Sequence, residues 1–271
     1  MPELPEVETT VRGLEKVLKG RRLTRVEPRR VDLRRAMPVD LGQRLTGARV
    51  TGLGRRAKYG LIETDRGDTL IFHLGMSGRW RIDPEEIGTH DHLLVETDDG
   101  HRLSLNDPRR FGSLDLVPTS EVAAWPPFAA IGPEPLGPAL SGAWFKLRLA
   151  GRKAAIKLML LDQAIVAGLG NIYACEALFR ARIDPRKPAG KVSLAKLDAL
   201  ARAIPEVLED AIRAGGSTLK DFAAPDGELG YFSKQFDVYD REGEACRGCT
   251  GTVKRIVQGG RATFFCPACQ K

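Results

Sequence analysis

The chain has 271 residues and a formal net charge of +7, with a sequence pI near 9.3. This length suits two domains, or one domain with a small appendage, and allows ordinary hydrophobic cores. The sequence contains no long apolar run and no signal-peptide pattern, so we expect a soluble intracellular protein. The positive charge favours an anionic partner, most often nucleic acid. An Arg-rich surface that is merely solvated is the alternative.

The N-terminus predicts a helix that carries a reactive amine. If Met1 is removed, Pro2 presents a secondary amine beside the carboxylate of Glu3, and such an amine can attack an aldehydic carbon to form an iminium. A helix start in which acidic residues such as Glu6 only complement the helix dipole explains the same sequence, and both interpretations can hold together. The apolar residues that recur at helical spacing are Leu4, Val7, Val11, Leu14 and Leu18.

Short strands follow the helix as far as about Pro118. Their number and regular spacing predict a β-sandwich or barrel. Turn-forming residues at 65–68 and 98–100 separate some of them. The predicted strands are Leu23–Glu27, Arg49–Leu53, Tyr59–Thr64, Thr69–Leu74, Leu93–Thr97 and Arg102–Leu105.

Two basic turns in the strand region carry candidate functional residues. Lys58 lies in the first, and a cation beside the terminal amine would depress the pKa of that amine and keep it neutral enough to attack. A solvated basic turn is the alternative. The second turn, Asp107–Gly112, places Phe111 beside Arg109, and such a pair can enter a base stack while holding phosphates. An ordinary loop with Phe111 folded into the core would have the same sequence.

The second half of the sequence predicts helices after a proline- and glycine-rich linker. Between the first two helices, glycines at 168 and 170 allow the backbone to approach a ligand, and Asn171 is predicted to cap the helix that follows. Exposed N–H groups at a helix N-terminus bind phosphate. A tight helix–helix turn is the alternative. The clearest predicted helices are Ile156–Ile165, Ile172–Arg180 and Ser193–Arg213.

Four cysteines near the C-terminus predict a metal site. Two CxxC pairs, separated by 16 residues, have the spacing of a four-thiolate zinc site. The segment between them predicts a hairpin with a glycine turn, and together these features predict a zinc ribbon. Two disulfides are the alternative, which the absence of a secretion signal disfavours. The four predicted ligands are Cys246, Cys249, Cys266 and Cys269.

A series of motifs runs in order from the first residue to the last. It closely resembles the formamidopyrimidine-DNA glycosylase family. The sister endonuclease VIII branch shares the proline, the glutamate and the zinc ribbon, but Leu4 in place of a glycine and the complete Arg109–Phe111 turn favour the formamidopyrimidine branch. The motifs that carry the resemblance are Met1–Glu8, Arg56–Tyr59, His73–Gly78, Asp107–Gly112, Gly168–Ala174 and the ribbon with Arg261–Cys266.

The resemblance implies a bifunctional DNA glycosylase and AP lyase of base excision repair that excises 8-oxoguanine and formamidopyrimidines. Pro2 would attack C1′ of the damaged nucleoside, displace the base and leave an imine to the opened sugar. Glu3 would act as an acid in ring opening. Lys58 would serve the β-elimination and Arg261 the δ-elimination, which would leave a one-nucleotide gap with phosphate at both ends.

The resemblance also implies how DNA is bound. The lesion is inaccessible inside the base stack, so it must be everted. The segment 215–231 resembles the loop that folds over an oxidised purine. Position 152 is Arg where relatives commonly carry Lys, which preserves the charge. The residues that would fill the vacated space are Met76, Arg109 and Phe111, and those near the DNA backbone or the lesion are His90, Arg152, Lys157 and Asn171.

We therefore expect an α+β multidomain protein. The predicted parts are a catalytic β-sandwich with its leading helix (1–125), a linker (126–142), a helical domain with a helix–two-turn–helix (143–236) and a zinc-ribbon finger (237–271). The expected cofactor is one structural zinc ion. The expected partner is double-stranded DNA with an oxidised base or an abasic site, bound by a monomer in the bacterial cytoplasm without membrane association. A non-catalytic zinc-ribbon protein that binds DNA or RNA, and a relative that binds damage without cutting, are the other classes.

Overall fold

The computed structural model describes residues 1–217, Pro225 and 230–271. The chain divides into two compact units. The first comprises Met1–Ala129 and Ala214–Tyr231, and the second comprises Ala130–Arg213 and Phe232–Lys271. The first unit thus includes residues 214–217, which the sequence-based bounds assign to the helical domain. Most of the predicted lesion loop, residues 218–224 and 226–229, lies outside the described residues.

The first unit begins with α1 (Leu4–Leu18), and its apolar face is the one predicted from helical spacing. Leu4 and Leu14 are fully buried, and Val7 and Leu18 are at most 2% exposed. Two short helices also belong to this unit, α2 (Leu41–Leu45) and α3 (Pro126–Ala129).

Eight strands of the first unit form two four-stranded antiparallel sheets. Their orders are β1-β6-β7-β5 and β2-β3-β4-β8. Side chains from both sheets and from α1 share one buried apolar cluster, which confirms the predicted β-sandwich. The strands are β1 (Leu23–Pro28), β2 (Val50–Arg56), β3 (Tyr59–Thr64), β4 (Asp68–His73), β5 (Arg79–Ile82), β6 (Asp91–Thr97), β7 (Arg102–Asn106) and β8 (Ser113–Pro118).

The second unit contains four α-helices, two short 3-10 helices and one hairpin among its described residues. Helix α7 is the longest and is packed by both α4 and α6. The predicted helix Ile156–Ile165 ends already at Leu160, whereas the two later helices match their predicted bounds to within one residue. The elements are α4 (Gly142–Leu149), α5 (Ile156–Leu160), α6 (Asn171–Arg180), α7 (Leu194–Arg213), β9 (Lys254–Gln258) and β10 (Arg261–Phe265).

The helices of the described part of the chain are at most 20 residues long. None of them is long and apolar enough to cross a bilayer. The described helices instead bury one face against other parts of their own unit, as in α1 and α7.

Candidate catalytic and DNA-binding residues

Pro2 and Glu3 lie at a buried helix start. Glu3 is 3% exposed and occupies the N-cap position of α1 with extended backbone. Its N–H donates to Glu6 Oε2 at 2.9 Å. Glu6 Oε1 accepts two further hydrogen bonds, from the main-chain N–H and the hydroxyl of Ser217, at 2.9 Å each. The carboxylate of Glu6 therefore fixes the chain next to Pro2.

Glu6 has a larger role than the sequence analysis assigned to it. A glutamate three positions after a helix N-cap can accept the N–H of the capping residue, and this spacing was the available signal. The dipole interpretation captured only the charge of Glu6. No local pattern could have shown the second set of bonds, because Ser217 is 211 positions away in the sequence.

Lys58 lies in the tight turn between β2 and β3. Arg56 and Tyr59 pair across this turn, and Ala57 has a φ of 53°. Lys58 is only 7% exposed, so a solvated basic turn is excluded. Arg55 attaches the turn to α1, because its Nε lies 2.9 Å from Glu8 Oε2 and its guanidinium donates to the Ala57 carbonyl at 2.9 Å. The turn that carries Lys58 is thus tied to the helix that Pro2 precedes.

The pKa of His73 is lowered by burial and by the positive charges around Lys58. Burial, followed by the charges of Lys58, Arg34 and Arg35, lowers the pKa of His73 to about 4. Its Nδ1 accepts the N–H of Gly75 at 3.0 Å, which suits a neutral ring with the proton on Nε2. This concentration of cations within the first unit is suited to the phosphates of a nucleic acid.

The residues predicted to fill the vacated space are accessible. Met76 is half-buried and Arg109 is exposed. Phe111 is 43% exposed, which excludes the alternative in which it folds into the core. The guanidinium carbon of Arg109 lies 4.9 Å from the centroid of the Phe111 ring, so the two side chains stack.

His90 is exposed and directly precedes β6. The carboxylate of the neighbouring Asp91 has a structural role, because it accepts hydrogen bonds from Gly88 N–H, Ser104 Oγ and Asn106 Nδ2. Arg81 also pairs with this carboxylate at 3.1 Å. The His90-Asp91-His92 sequence is therefore not part of any candidate metal cluster among the described residues.

The prediction that Asn171 caps a helix is wrong. Gly170 occupies the N-cap position with extended backbone, and Asn171 is the first residue of α6. The side chain of Asn171 instead donates from Nδ2 to the Ala262 carbonyl at 2.9 Å and lies 3.4 Å from the Tyr239 hydroxyl. Because Ala262 follows Arg261, the start of α6 is joined to the strand that carries Arg261.

Lys157 and Arg152 occupy different environments in the second unit. Lys157 is fully buried in α5, whereas Arg152 is exposed. The Lys157 N–H donates to the Pro185 carbonyl at 3.4 Å, and Gln258 Nε2 donates to the same carbonyl at 3.3 Å. Since Gln258 ends β9, the Pro185 carbonyl joins α5 to the ribbon hairpin.

The hairpin of the predicted ribbon is present, with Arg261 at the start of β10. Arg261 pairs with Gln258 across a turn formed by Gly259 and Gly260. These glycines have φ values of 56° and 72°, which other residues rarely adopt. Arg261 is exposed.

The four cysteines fit one tetrahedral zinc ion. Their sulfur atoms all lie within 4.8 Å of one another, and two of the pairs are 3.8 Å and 3.6 Å apart. Zn–S bonds of about 2.3 Å at tetrahedral angles give sulfur separations of about 3.8 Å. The N–H groups of Gly248 and Gly251 donate to Cys246 and Cys249 at 3.3 Å and 3.2 Å. The hydrogen bond from Gly251 lowers the pKa of Cys249 to about 7, whereas burial raises the pKa of Cys269 to about 12. Zinc holds its sulfur ligands as thiolates, so binding releases protons.

A buried carboxylate that the sequence analysis did not single out supports the ribbon. Glu176 in α6 is fully buried and accepts the N–H groups of Asp237, Val238 and Tyr239 at 2.8, 3.0 and 2.8 Å. Burial raises the pKa of Glu176, although these three bonds oppose the shift. Glu176 therefore fixes the segment that leads into the ribbon.

Three family models match the chain in order. The N-terminal domain of formamidopyrimidine-DNA glycosylase matches residues 1–114, and the H2TH domain of the same enzymes matches residues 131–223. A zinc finger found in FPG and IleRS matches residues 243–271. The third match agrees with the four clustered cysteines, and together they support one structural zinc ion.

Whole-chain comparisons agree with these matches. The chain is 68% identical to the formamidopyrimidine-DNA glycosylase of Novosphingobium aromaticivorans and 67% identical to that of Rhizorhabdus wittichii, each over all of both chains. Among solved structures, a Lactococcus lactis FPG mutant in complex with Fapy-dG-containing DNA has a TM-score of 0.92 at 35% identity, over all of both chains. The MutM (FPG) protein of Thermus thermophilus has a TM-score of 0.88 at 39% identity and covers 99% of this chain and 98% of its own. The chain therefore belongs to the formamidopyrimidine-DNA glycosylase family, the zinc-finger DNA glycosylases of base excision repair.

Proposed function

We propose that this protein excises 8-oxoguanine and formamidopyrimidines from double-stranded DNA as a monomer and then cleaves the abasic strand as an AP lyase. The observation that supports this best is the fixed N-terminus. Glu6 holds the chain beside Pro2, and Arg55 ties the turn of the buried Lys58 to the same helix. A nucleophilic amine needs such a restrained position and a neighbouring cation that keeps it neutral.

The chemistry begins after removal of Met1. The Pro2 nitrogen attacks C1′ of the damaged nucleoside, and the glycosidic bond breaks with its electron pair leaving on the base. Glu3 supplies the proton to the ring oxygen as the sugar opens, which leaves an iminium between Pro2 and C1′. Loss of a C2′ proton then expels the 3′ phosphate, assisted by Lys58, and a second proton loss expels the 5′ phosphate, assisted by Arg261.

The DNA is addressed by residues of both units. We assign Met76, Arg109 and Phe111 to the space left by the everted base, which agrees with their exposure and with the stacking of Arg109 on Phe111. Solved Lactococcus lactis neighbours hold Fapy-dG-containing and abasic-site-containing DNA, which supports the same class of substrate here. The residues proposed to lie near the DNA backbone or the lesion are His90, Arg152, Lys157 and Asn171; of these, Lys157 is fully buried.

Borohydride trapping on an 8-oxoguanine duplex tests the enzymatic steps. The protein with Pro2 as its verified first residue should become covalently attached to the DNA, because borohydride reduces the imine. Pro2→Gly should retain some trapping through its primary amine. A protein that retains Met1, verified by mass, should not trap, since the Pro2 nitrogen is then an amide. Trapping by that protein would refute the role of Pro2, and no trapping by any form would favour a non-catalytic damage binder.

Arg261→Ala tests the second elimination. The variant should keep zinc and fold but accumulate the β-elimination product, measured by separating the two 3′ ends on a denaturing gel. Arg255→Ala removes an equally exposed charge from the neighbouring strand and serves as the matched control. Equal product distributions for the two variants would exclude a specific role for Arg261.

A further inference from the structure

We propose that Asp107 is a positioning residue that joins the segment carrying Met76 to the turn carrying Arg109 and Phe111. The three side chains then enter the DNA as one preset group. The proposal rests on the proposed function, which assigns these side chains to the space left by an everted base. Asp107 itself contacts neither the DNA nor the reacting atoms in this scheme.

The main chain of Asp107 is fixed on the sandwich. The residue is fully buried and directly follows β7. Its N–H donates to the His90 carbonyl at 2.9 Å, and its own carbonyl accepts the Arg110 N–H at 3.1 Å. His92 Nε2 lies 3.0 Å from that same carbonyl. The main chain of Asp107 is therefore restrained, so the groups that are hydrogen-bonded to its side chain are held in place relative to the sandwich.

The carboxylate of Asp107 holds both segments at once. Oδ1 accepts the hydroxyl of Ser77 at 2.6 Å, and Oδ2 accepts the N–H of Gly112 at 2.8 Å. The hydroxyl oxygen of Ser77 in turn accepts the Arg109 N–H at 3.2 Å. Ser77 directly follows Met76, and Gly112 directly follows Phe111. One side chain thus reaches the neighbours of Met76 and Phe111, and through Ser77 it is linked to the N–H of Arg109.

The two segments also touch through their main chains. Gly75 has a φ of 63°, and a Cβ at this position would overlap the main chain of Phe111. Apolar packing does not account for the link, because Met76 is half-buried and Phe111 is 43% exposed. The hydrogen bonds centred on Asp107 therefore provide the directional part of the connection.

Such a connection matters for base eversion rather than for sugar chemistry. Ordering side chains and loops on binding costs free energy, and a preset arrangement reduces that cost. Without the carboxylate, Ser77 and Gly112 lose their shared acceptor, and the two segments can move separately. Eversion of the lesion and contact with the opposite base should suffer, whereas an abasic site has no base to evert.

The test compares Asp107→Asn with the unmodified protein in single-turnover assays on two substrates. Asparagine keeps the shape, but its NH2 group faces one of the two donors instead of accepting from it. Excision of 8-oxoguanine opposite cytosine should slow by about tenfold or more, while cleavage of a preformed abasic site should change by less than about twofold.

Three further variants separate positioning from stability. Ser77→Ala should give a smaller loss of the same kind, and Ser77→Thr, which keeps the hydroxyl, should restore most of the activity. Asp91→Asn is the matched control, because Asp91 is an equally buried carboxylate with several donors that lie outside both segments. It should lower the melting temperature without changing the ratio of the two substrate rates per folded molecule.

The proposal is tested by the ratio of the rate of 8-oxoguanine excision to the rate of cleavage at the preformed abasic site. An unchanged ratio for Asp107→Asn, or equal slowing on both substrates, would overturn the proposal. If Asp107→Asn does not fold, the ratio for Ser77→Ala against Ser77→Thr decides in the same way. Failure of the unmodified protein to form a trapped complex is a separate result, and it would refute the proposed function instead.

Discussion

The β-sandwich and the zinc ribbon hold their functional residues by different means. In the described residues, the unit that carries Pro2, Glu3 and Lys58 contains one cluster of 21 buried apolar residues. The cluster that contains the ribbon has eight, and three of them are metal ligands. The first region is stable through apolar burial, whereas the second depends on an ion. Residues proposed for consecutive chemical steps therefore depend on two separate sources of folding free energy.

Loss of zinc should have the largest effect, because the ribbon depends on the ion for its stability and the sandwich does not. Structural zinc contributes an apparent binding free energy of about 10–16 kcal/mol in zinc-finger peptides. Cys249→Ser should lose zinc, disorder the ribbon and abolish most DNA binding, while hydrogen exchange in the sandwich stays slow. Cys175→Ala, which removes a buried thiol outside the ligand set, is the control and should retain zinc. Full activity in a metal-free Cys249→Ser protein would contradict the role given to the ribbon.

A cavity in the core of the sandwich should have the opposite effect, because it should destabilise the sandwich and leave the zinc site intact. Phe72 is fully buried between the two sheets, and Phe→Ala changes in cores cost about 3–5 kcal/mol. Phe72→Ala should therefore lower the unfolding temperature of the sandwich and leave one zinc bound per chain, as measured by calorimetry and metal analysis. Phe111→Ala makes the same chemical change at an exposed site, and its stability should stay within about 0.5 kcal/mol of the unmodified protein. Loss of zinc from Phe72→Ala would show that the two regions fold as one.

The neutral His73 should make the sandwich sensitive to acid. Its folded pKa of about 4 lies below the ordinary value of 6.5, so the unfolded chain binds the extra proton between these limits. The free energy of unfolding should therefore fall as the pH is lowered from about 6.5 to about 4, by an amount on the order of 3 kcal/mol. In His73→Asn, whose amide oxygen can still accept the Gly75 N–H, this component should disappear. Identical pH profiles in urea titrations would contradict it.

The smallest expected effect concerns the salt dependence of DNA binding. Several phosphate contacts should give a slope of log affinity against log salt of about −3 to −6. Arg109→Ala should make this slope less steep by about one unit, whereas the uncharged change Phe111→Ala should weaken binding without altering the slope. Fluorescence anisotropy at four salt concentrations measures both. A slope near zero for the unmodified protein would exclude DNA as the partner.

Local patterns predicted most of the secondary structure. Helix α1, six strands and the two long helices of the second unit follow from apolar spacing and turn residues. The strands β5 and β8 were not among the predicted strands; β5 has only four residues, and β8 directly follows the Asp107–Gly112 turn. Helix α5 ends early although the apolar run continues, because the Asp162 side chain accepts the Ala164 N–H at 2.9 Å and starts a turn.

Candidate site residues could be proposed from the sequence where the residues of one motif are neighbours in the chain. The CxxC pairs and the Pro2-Glu3 start are of this kind. The buried carboxylates Glu6, Asp107 and Glu176 were not recognised, because each accepts hydrogen bonds from main-chain N–H groups. Every residue except proline carries such a donor, so no residue type marks the partner in a single sequence.

The attachment of Ser217 to Glu6 has a consequence for how the substrate range of such a protein can be changed. Ser217 forms an antiparallel β-bridge with Tyr231, and the Tyr231 N–H donates to the Ala214 carbonyl at 2.9 Å. The two ends of the intervening segment are therefore held next to each other. Ser217 is also hydrogen-bonded to Glu6 in α1, the helix that Pro2 precedes. The hydrogen bonds of this attachment involve Glu6, Ala214, Ser217 and Tyr231, which all lie outside the segment 218–230. We therefore expect sequence changes within that segment to alter the range of lesions accepted, while the helix that Pro2 precedes keeps its position.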